Sequence, residues 1–278
     1  MIEQLKYKNH ENEVFEFGKD GIYVNVSTLH DYSWKVTKKH DRIASLDYEV
    51  STRKLPVVII CNTEAEGIAA RNRLMEVVEK DVLSLQHGRI ILGDYYFKCF
   101  VTKSEKKNYL TTGKYMTLNL TLTSDYPYWV KETANVFMGN IGTYSQSDDL
   151  DYGHDYPHDY FSDFVNRTIS NHGFIDSNFR LNISGPCVNP VVYINSHAYR
   201  VNCDVAEGEY LTVDSFNKTI MLTAKDGTKN NVFNKRDKSS YIFEKIPSGK
   251  SSITWSGDFN FEIVLLEERS EPKWICFT

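Results

Sequence analysis

The chain has 278 residues, 41% of them hydrophobic, and a formal net charge of −5, so it is long enough to bury one large core or two smaller ones. This charge gives no global basic field, which argues against sequence recognition of nucleic acid. No stretch approaches the roughly 20 apolar residues of a membrane span, and the N-terminus lacks the apolar core of a signal peptide. We therefore expect a chain that folds in a cytoplasm and has no membrane partner.

One helix is predicted in the N-terminal third, over about residues 63–86. Thr63 and Glu66 form a capping box, in which each side chain bonds the backbone amide of the other residue. Apolar residues then recur at steps of three, four and seven, which predicts one buried face. The predicted face contains Ile68, Leu74, Met75, Val77, Val78, Val82 and Leu85.

Strands are predicted on both sides of this helix. Residues 55–61 form a continuous apolar run, and Gly93-Asp94 is a turn-forming dipeptide between two further apolar runs. Residues 115–123 alternate cleanly, with Met116, Leu118, Leu120 and Leu122 on one face. We expect residues 1–135 to form a β-sandwich or barrel domain with one packed α-helix.

The composition changes between about residues 139 and 161, which are rich in Asp and Tyr and predict a linker. Its acidic residues do not match the ligand spacing of a calcium-binding loop. His154 and His158 are four residues apart, but Pro157 between them disfavours a helix that would place both on one face. We predict no metal site in this linker or elsewhere.

Residues 136–278 are predicted to form a second β domain. Short alternating runs occur at residues 179–184, 191–195, 209–214, 219–223, 241–246, 252–255 and 259–265. Asp226-Gly227 is a strong hairpin signal, because glycine readily adopts the positive φ of a tight turn. Short strands at this spacing favour a β-sandwich or barrel, so the whole chain is predicted to be mainly β.

No pattern that catalysis requires is present. The nucleophile-elbow and dinucleotide motifs are absent, and Gly249-Lys250-Ser251 lacks both the earlier glycine and the following helix of a phosphate-binding loop. The five cysteines form no CxxC pair and are predicted to be buried thiols. We predict no catalytic residue and no cofactor. Trp255 and Trp274 are candidate platforms for a sugar ring, although a core position is favoured for Trp255.

In their order along the chain, these features resemble the distal tail (Dit) proteins of long-tailed bacteriophages. The resemblance rests on the strand-rich first domain closed by residues 124–129, on the Asp-Tyr-Pro linker, on Gly185-Pro186 and residues 208–214, and on the closing run from 246 to 269. It covers nearly the whole chain. Each motif alone is a combination of turns and strands found in many β proteins, so the resemblance rests on the order of the motifs along the chain.

The resemblance implies a structural virion component and not an enzyme. It implies that the N-terminal domain assembles into a hexameric ring, with a C-terminal galectin-like β-sandwich outside the ring. Such a hub joins the tail tube protein to the tail-tip or tail-associated protein or to receptor-binding proteins, and it is assembled in the cytoplasm of the bacterial host. The alternative is a carbohydrate-binding, lectin-like module for host recognition. Hydrolysis of glycosidic or cell-wall bonds has the least support, because no suitably spaced pair of acids stands out.

Overall fold

A computed structural model of the chain describes residues 5–19, 21–109, 114–139 and 168–273. The chain divides into two compact units, and it passes between them twice, after Lys131 and after Glu267. The first unit takes in the described residues up to Lys131 together with residues 268–273, and the second takes in the described residues from Glu132 to Glu267. The sequence-based division at residue 135 had assigned the final segment to the second domain. Most of the predicted linker lies outside the described residues.

Among its described residues, the first unit consists of short strands, three strands of ten residues or more, one α-helix and one 3-10 turn. In chain order its elements are β1 (Leu5–Lys8), β2 (Val14–Glu16), β3 (Ile22–Val24), a 3-10 turn (Ser27–Leu29), β4 (Lys35–Lys39), β5 (Arg42–Asp47), β6 (Ser51–Ile60), α1 (Glu64–Ser84), β7 (Gly88–Leu92), β8 (Tyr95–Tyr109), β9 (Tyr115–Ser124) and β10 (Trp129–Phe137), which continues into the second unit.

The 15-residue strand β8 organises the first unit, because it takes part in two runs of antiparallel strands. Its first half pairs with β7 and β10, and β7 continues through β1 to β2. Its second half pairs with β9, which continues through β6 to β3. The hairpin predicted at Gly93-Asp94 is confirmed, since Leu92 faces Tyr95 across the turn and Gly93 has a φ of 57°. The predicted apolar face of β9 is confirmed as well, and its four residues are all buried.

The predicted helix is confirmed, with Thr63 as its N-cap and the capping box formed with Glu66. Its predicted buried face is partly wrong, because Ile68 and Leu85 are exposed. The buried side is centred on Leu74 and also includes two small residues and one carboxylate. A helix face predicted from the spacing of large apolar residues leaves such positions out. The buried residues of α1 are Gly67, Ala70, Leu74, Val77, Val78 and Asp81.

Asp81 is a fully buried carboxylate on this helix face. Its Oδ2 accepts a hydrogen bond from the Tyr7 hydroxyl at 2.5 Å, and its Oδ1 accepts one from the His10 backbone amide at 2.8 Å. The His10 ring nitrogen Nδ1 lies 2.5 Å from the same Oδ1. Gly88 leaves room for this cluster, because a Cβ there would lie 2.1 Å from the Tyr7 hydroxyl oxygen. A buried polar side chain is tolerated only with such partners, so the cluster ties α1 to the first strands.

We expect Asp81→Ala to lower the free energy of unfolding of the first unit by about 2–4 kcal/mol, since it leaves a buried tyrosine hydroxyl and a backbone amide without their acceptor. Chemical denaturation followed by circular dichroism measures the change. Glu79→Ala, an exposed position on the same helix, serves as the matched control and is expected to change stability by less than about 0.5 kcal/mol. Equal effects of the two substitutions would contradict a stabilising role for the buried cluster.

The second unit begins with the later residues of β10 and contains only short strands and one 3-10 turn among its described residues. Its elements are β11 (Thr168–Asn171), β12 (Asn178–Ser184), β13 (Cys187–Val188), β14 (Val191–Ile194), β15 (His197–Arg200), β16 (Asp204–Val205), β17 (Tyr210–Asp214), β18 (Thr219–Thr223), β19 (Lys229–Asn231), a 3-10 turn (Phe233–Lys235), β20 (Gly249–Thr254) and β21 (Phe261–Arg269).

Two sheets of the second unit share one core, as in a β-sandwich. One sheet has the order β19-β18-β17-β12-β21-β10, and the other has the order β11-β20-β14-β15. Buried side chains from both sheets belong to a single apolar cluster, including Phe179 and Leu211 from the first sheet and Ile194 and Ile253 from the second. The mainly β prediction is therefore confirmed. The likeness of this unit to galectins stays a prediction.

The predicted strands of the second unit are largely confirmed, with one exception. The hairpin at Asp226-Gly227 joins β18 to β19, and Gly227 has a φ of 87°. Residues 241–246, however, form a turn in place of the predicted strand, with the Glu244 amide bonded to the Tyr241 carbonyl. Their buried residues, Ile242, Phe243 and Ile246, do not alternate, so the segment packs as a turn over the core. Nowhere in the described residues is there a helix of the length and apolar character needed to cross a membrane.

Candidate assembly surface

Residues 31–50 form an arm that leaves the first unit between two anchored points. At one end, Leu29 is fully buried, and its carbonyl oxygen accepts hydrogen bonds from the Arg53 guanidinium and from the Trp129 indole, the latter at 3.2 Å. At the other end the arm continues directly into β6, which pairs with β9 along its whole length. Between these points, β4 and β5 pair with each other and with no further strand of the described residues.

The register of β4 and β5 separates the arm into two chemically different faces. Val36 lies opposite Leu46, and Lys38 lies opposite Ile43 after a bulge at Ala44. Because cross-strand partners and alternate residues share a face, one side of the arm presents Trp34, Val36, Ile43, Leu46 and Tyr48, with Lys38 near the tip. The opposite side presents Lys35, Thr37, Lys39, Arg42, Ser45 and Asp47.

The apolar face of the arm is open to solvent. Trp34, Val36, Ile43 and Leu46 are each at least 42% exposed. A two-stranded hairpin is only marginally stable in water, and a contiguous exposed apolar face marks an interaction surface. The tip of the arm, residues 38–42, is basic, because it contains three cationic side chains, Lys38, Lys39 and Arg42, and one carboxylate, Asp41. This combination of an apolar face and a charged tip suits a protein partner.

The arm was absent from the sequence predictions, although its strands do alternate. Its turn residues, His40 and Asp41, have φ values of 50° and 59°, the positive values that a two-residue hairpin turn requires. Glycine or asparagine usually occupies such positions, and His-Asp lacks that signal. The alternation of Trp34 with Val36, and of Leu46 with Tyr48, is the signal that could have revealed the arm.

An aromatic ladder holds the base of the arm. The rings of Trp34 and Tyr48 have centroids 4.1 Å apart, those of Tyr48 and Tyr128 are 4.5 Å apart, and those of Tyr128 and Tyr126 are 4.8 Å apart. The Tyr48 hydroxyl also forms a hydrogen bond with the Ser270 hydroxyl. The ladder therefore connects the arm to the segment before β10 and to the end of the described chain.

Burial raises the pKa of the three ladder tyrosines. For Tyr126, burial is the main cause, and the neighbouring Glu268 carboxylate, which also accepts a hydrogen bond, adds to it. The pKa of Tyr128 is raised mainly by burial and further by the nearby Tyr48. Burial also raises the pKa of Tyr48, because its effect outweighs that of the hydrogen bond with Ser270, which lowers the pKa. The folded state therefore keeps these hydroxyls protonated more strongly than the unfolded chain does.

The ladder should weaken at alkaline pH. Tyrosine ionises near pH 10 in the unfolded chain, so the stability that these raised pKa values contribute is complete below about pH 10 and is lost as the pH rises above it. We expect Tyr126→Phe to make the fall in stability of the first unit between about pH 9 and 11 less steep, as measured by denaturation midpoints across that range. Parallel pH profiles for the variant and the wild type would contradict this assignment.

Of the two residues predicted as a sugar platform, only Trp255 lies among the described residues. Trp255 is half-buried against the core of the second unit, and its indole N–H donates to the Phe259 carbonyl at 3.1 Å. Its ring also meets Phe261 edge to face at 5.1 Å. Trp274 lies outside the described residues, so the platform stays a prediction.

The cysteine thiols lie in surroundings typical of structural residues. Cys99, Cys187 and Cys203 are free thiols, while Cys276 lies outside the described residues. Burial raises the pKa of the Cys99 thiol to about 12 and that of Cys187 to about 11, which keeps both unreactive at neutral pH. In the part of the chain that the structure describes, no three His, Cys, Asp or Glu side chains gather as a metal site would require.

Ser84, His10 and Asp81 lie together in an order that resembles a catalytic triad. The Ser84 hydroxyl is 3.5 Å from His10 Nδ1 and 3.4 Å from Nε2, so it is directed at neither ring nitrogen in particular. It donates instead to the Lys80 carbonyl at 2.8 Å, as helix hydroxyls commonly do. An activated nucleophile needs a direct hydrogen bond with its base, so this group has the geometry of a structural cluster.

Searches by sequence find no relative, since neither a protein-family model nor a curated protein matches the chain. Solved structures do match. A chain of the phage P2 baseplate in its activated conformation with calcium aligns over 98% of this chain and 100% of its own, with a TM-score of 0.62 at 11% identity, and the strontium form gives the same values. The SPP1 Dit (gp 19.1) protein, a hub of the adsorption apparatus in phages that infect Gram-positive bacteria, aligns over 95% of this chain and 99% of its own, with a TM-score of 0.57 at 8% identity. This chain therefore has the Dit-like fold found in phage baseplate and tail hub proteins, as its sequence resemblance predicted.

Proposed function

We propose that this protein is a structural hub of a phage tail, which assembles through the arm into a hexameric ring. The observation that carries the proposal is the open apolar face of β4 and β5, a face with no cover among the described residues. The Dit-like fold supports the same role, because the solved structures that share it come from a baseplate and from an adsorption hub.

A second copy of the chain is the occupant that the charges favour. The tip of the arm carries three cationic side chains and one carboxylate, whereas the chain as a whole has a net charge of −5. The tip is therefore attracted to the remainder of another copy, and such steering sets the orientation of an encounter. A ring needs a heterologous contact, in which the arm of one subunit meets a different surface of the next.

The proposed hub connects unlike proteins at the end of the tail. It binds the tail tube protein on one side and the tail-tip protein, tail-associated protein or receptor-binding proteins on the other, and it acts without catalysis. It is assembled in the host cytoplasm and carried in the virion. Mass spectrometry of purified virions, together with co-purification of the chain with a tail tube protein, tests this location. Absence of the chain from intact virions would overturn the proposal.

The apolar face of the arm gives a direct test of assembly. We expect the double variant Val36→Ser, Leu46→Ser to remain monomeric under conditions in which the wild type forms rings, because each lost apolar side chain removes about 1.5–3 kcal/mol from every interface. Sedimentation velocity across a wide range of protein concentration, with negative-stain microscopy of the rings, measures the change.

The matched control is Thr37→Ala, Ser45→Ala, which alters a cross-strand pair on the opposite face of the same two strands. This variant is expected to assemble as the wild type does. Rings of the apolar-face variant at wild-type concentration would show that the interface lies elsewhere. A wild type that stays monomeric at high concentration, and also after tail proteins are added, would overturn the ring itself.

A further inference from the structure

We propose that Tyr48 is the positioning residue of the arm, and that its contacts set the direction in which the apolar face is presented to the next subunit. This inference rests on the proposed function. It concerns how the arm is held, whereas the proposed function concerns what the arm binds.

Tyr48 stands where the arm meets the body of the first unit. Its ring packs between Trp34, on the arm, and Tyr128, which belongs to the segment that leads into β10. Its hydroxyl forms a hydrogen bond with Ser270, in the segment that follows β21. Tyr48 is thus held by three contacts, and two of them, with Tyr128 and Ser270, are made with residues outside the arm. The ring is half-buried, although the residues on either side of it are exposed.

Beyond Tyr48, the arm has few contacts that would hold its direction. Its strands pair with each other and with no other strand of the described chain. The ion pair between Lys35 and Glu49 and the hydrogen bond from Ser45 to Asp47 stay within the arm. Contacts of this kind give a hairpin its shape, but they do not fix it relative to the body that carries it.

A fixed direction matters because every degree of freedom that is lost on binding costs free energy. An arm that swings about its base must be ordered when it docks, and that cost is subtracted from the apolar contact it gains. An arm held by the ladder has already lost this freedom in the free subunit. The ladder therefore strengthens assembly by fixing the direction of the arm, in addition to any contact that its own side chains make with the partner.

Each ring contact of Tyr48 contributes in the range measured for aromatic pairs, which corresponds to roughly a twofold to tenfold change in an equilibrium constant. We expect Tyr48→Ala, which loses two such contacts and the hydrogen bond, to weaken ring assembly by about tenfold or more. Tyr48→Phe keeps both ring contacts and is expected to assemble within about threefold of the wild type, since it loses one hydrogen bond between hydroxyls. Sedimentation equilibrium of the full chain measures both values.

Hydrogen exchange in the unassembled chain supplies the readout that a general loss of stability would not reproduce. We expect Tyr48→Ala to speed amide exchange in residues 35–47, while exchange in β6, β9 and α1 stays as in the wild type. Tyr210→Ala, which removes an exposed tyrosine from a strand of the second unit, is the matched control and should change neither exchange in the arm nor assembly. If Tyr48→Ala does not fold, Tyr48→Leu, which keeps an apolar side chain at the site, is measured in its place.

Weaker assembly together with faster exchange in the arm would support the inference. Unchanged assembly, or unchanged exchange in the arm, would overturn it, whichever of the two occurs. The apolar-face variant of the preceding section separates the two proposals. If that variant loses assembly and Tyr48→Ala does not, the arm is the interface but Tyr48 does not position it; if the apolar-face variant still assembles, the proposed use of the arm is itself wrong.

Discussion

A two-stranded sheet cannot bury an apolar face by itself, and this constraint explains more of the first unit than any other. The strands β4 and β5 place their apolar residues on one side and their charges on the other, as a strand in a larger sheet would. Among the described residues no second layer covers that apolar side. The free energy available from burying it is therefore left for association with another chain.

The body of the first unit is built to hold such an arm. The Leu29 carbonyl oxygen accepts hydrogen bonds from the side chains of Arg53 and Trp129, which fixes the chain where the arm begins. The ladder through Tyr48 fixes the place where the two strands of the arm come together. The buried Asp81 carboxyl group is hydrogen-bonded within the unit, to the Tyr7 hydroxyl and to the His10 amide. Exposed large apolar side chains of the first unit occur on the arm, as at Val36, Ile43 and Leu46, and also at the end of α1, where Leu83 and Leu85 are open to solvent.

Local signals were enough to predict much of the fold. The capping box at Thr63 and the glycine turns at Gly93 and Gly227 are short-range features, and each one formed where it was predicted. Strict alternation also identified β9, because one of its faces is buried along its whole length. The order of such elements was sufficient to suggest the fold that the solved structures share.

The failures have a common cause. Residues 241–246 are predicted to form a strand but fold as a turn, since their neighbours in space, and not their own pattern, decide which of them are buried. The same holds for α1, where Gly67 and Asp81 lie on the buried side and Ile68 does not. Burial is a property of the surroundings, so a pattern of hydrophobicity predicts it only when the whole face is apolar.

The sequence alone determined the fold class, the helix and its cap, most strands and the resemblance to phage tail proteins, because periodicity and turn chemistry act over a few residues. Only the tertiary structure decided which apolar side chains remain open to solvent and what holds them in place. Val36 and Leu46 look like core residues in the sequence, and their exposure reflects the lack of a covering strand within the part of the chain that the structure describes. The contacts of Tyr48 with Tyr128 and Ser270 join residues 80 and 222 positions apart, a relation that no local pattern can encode.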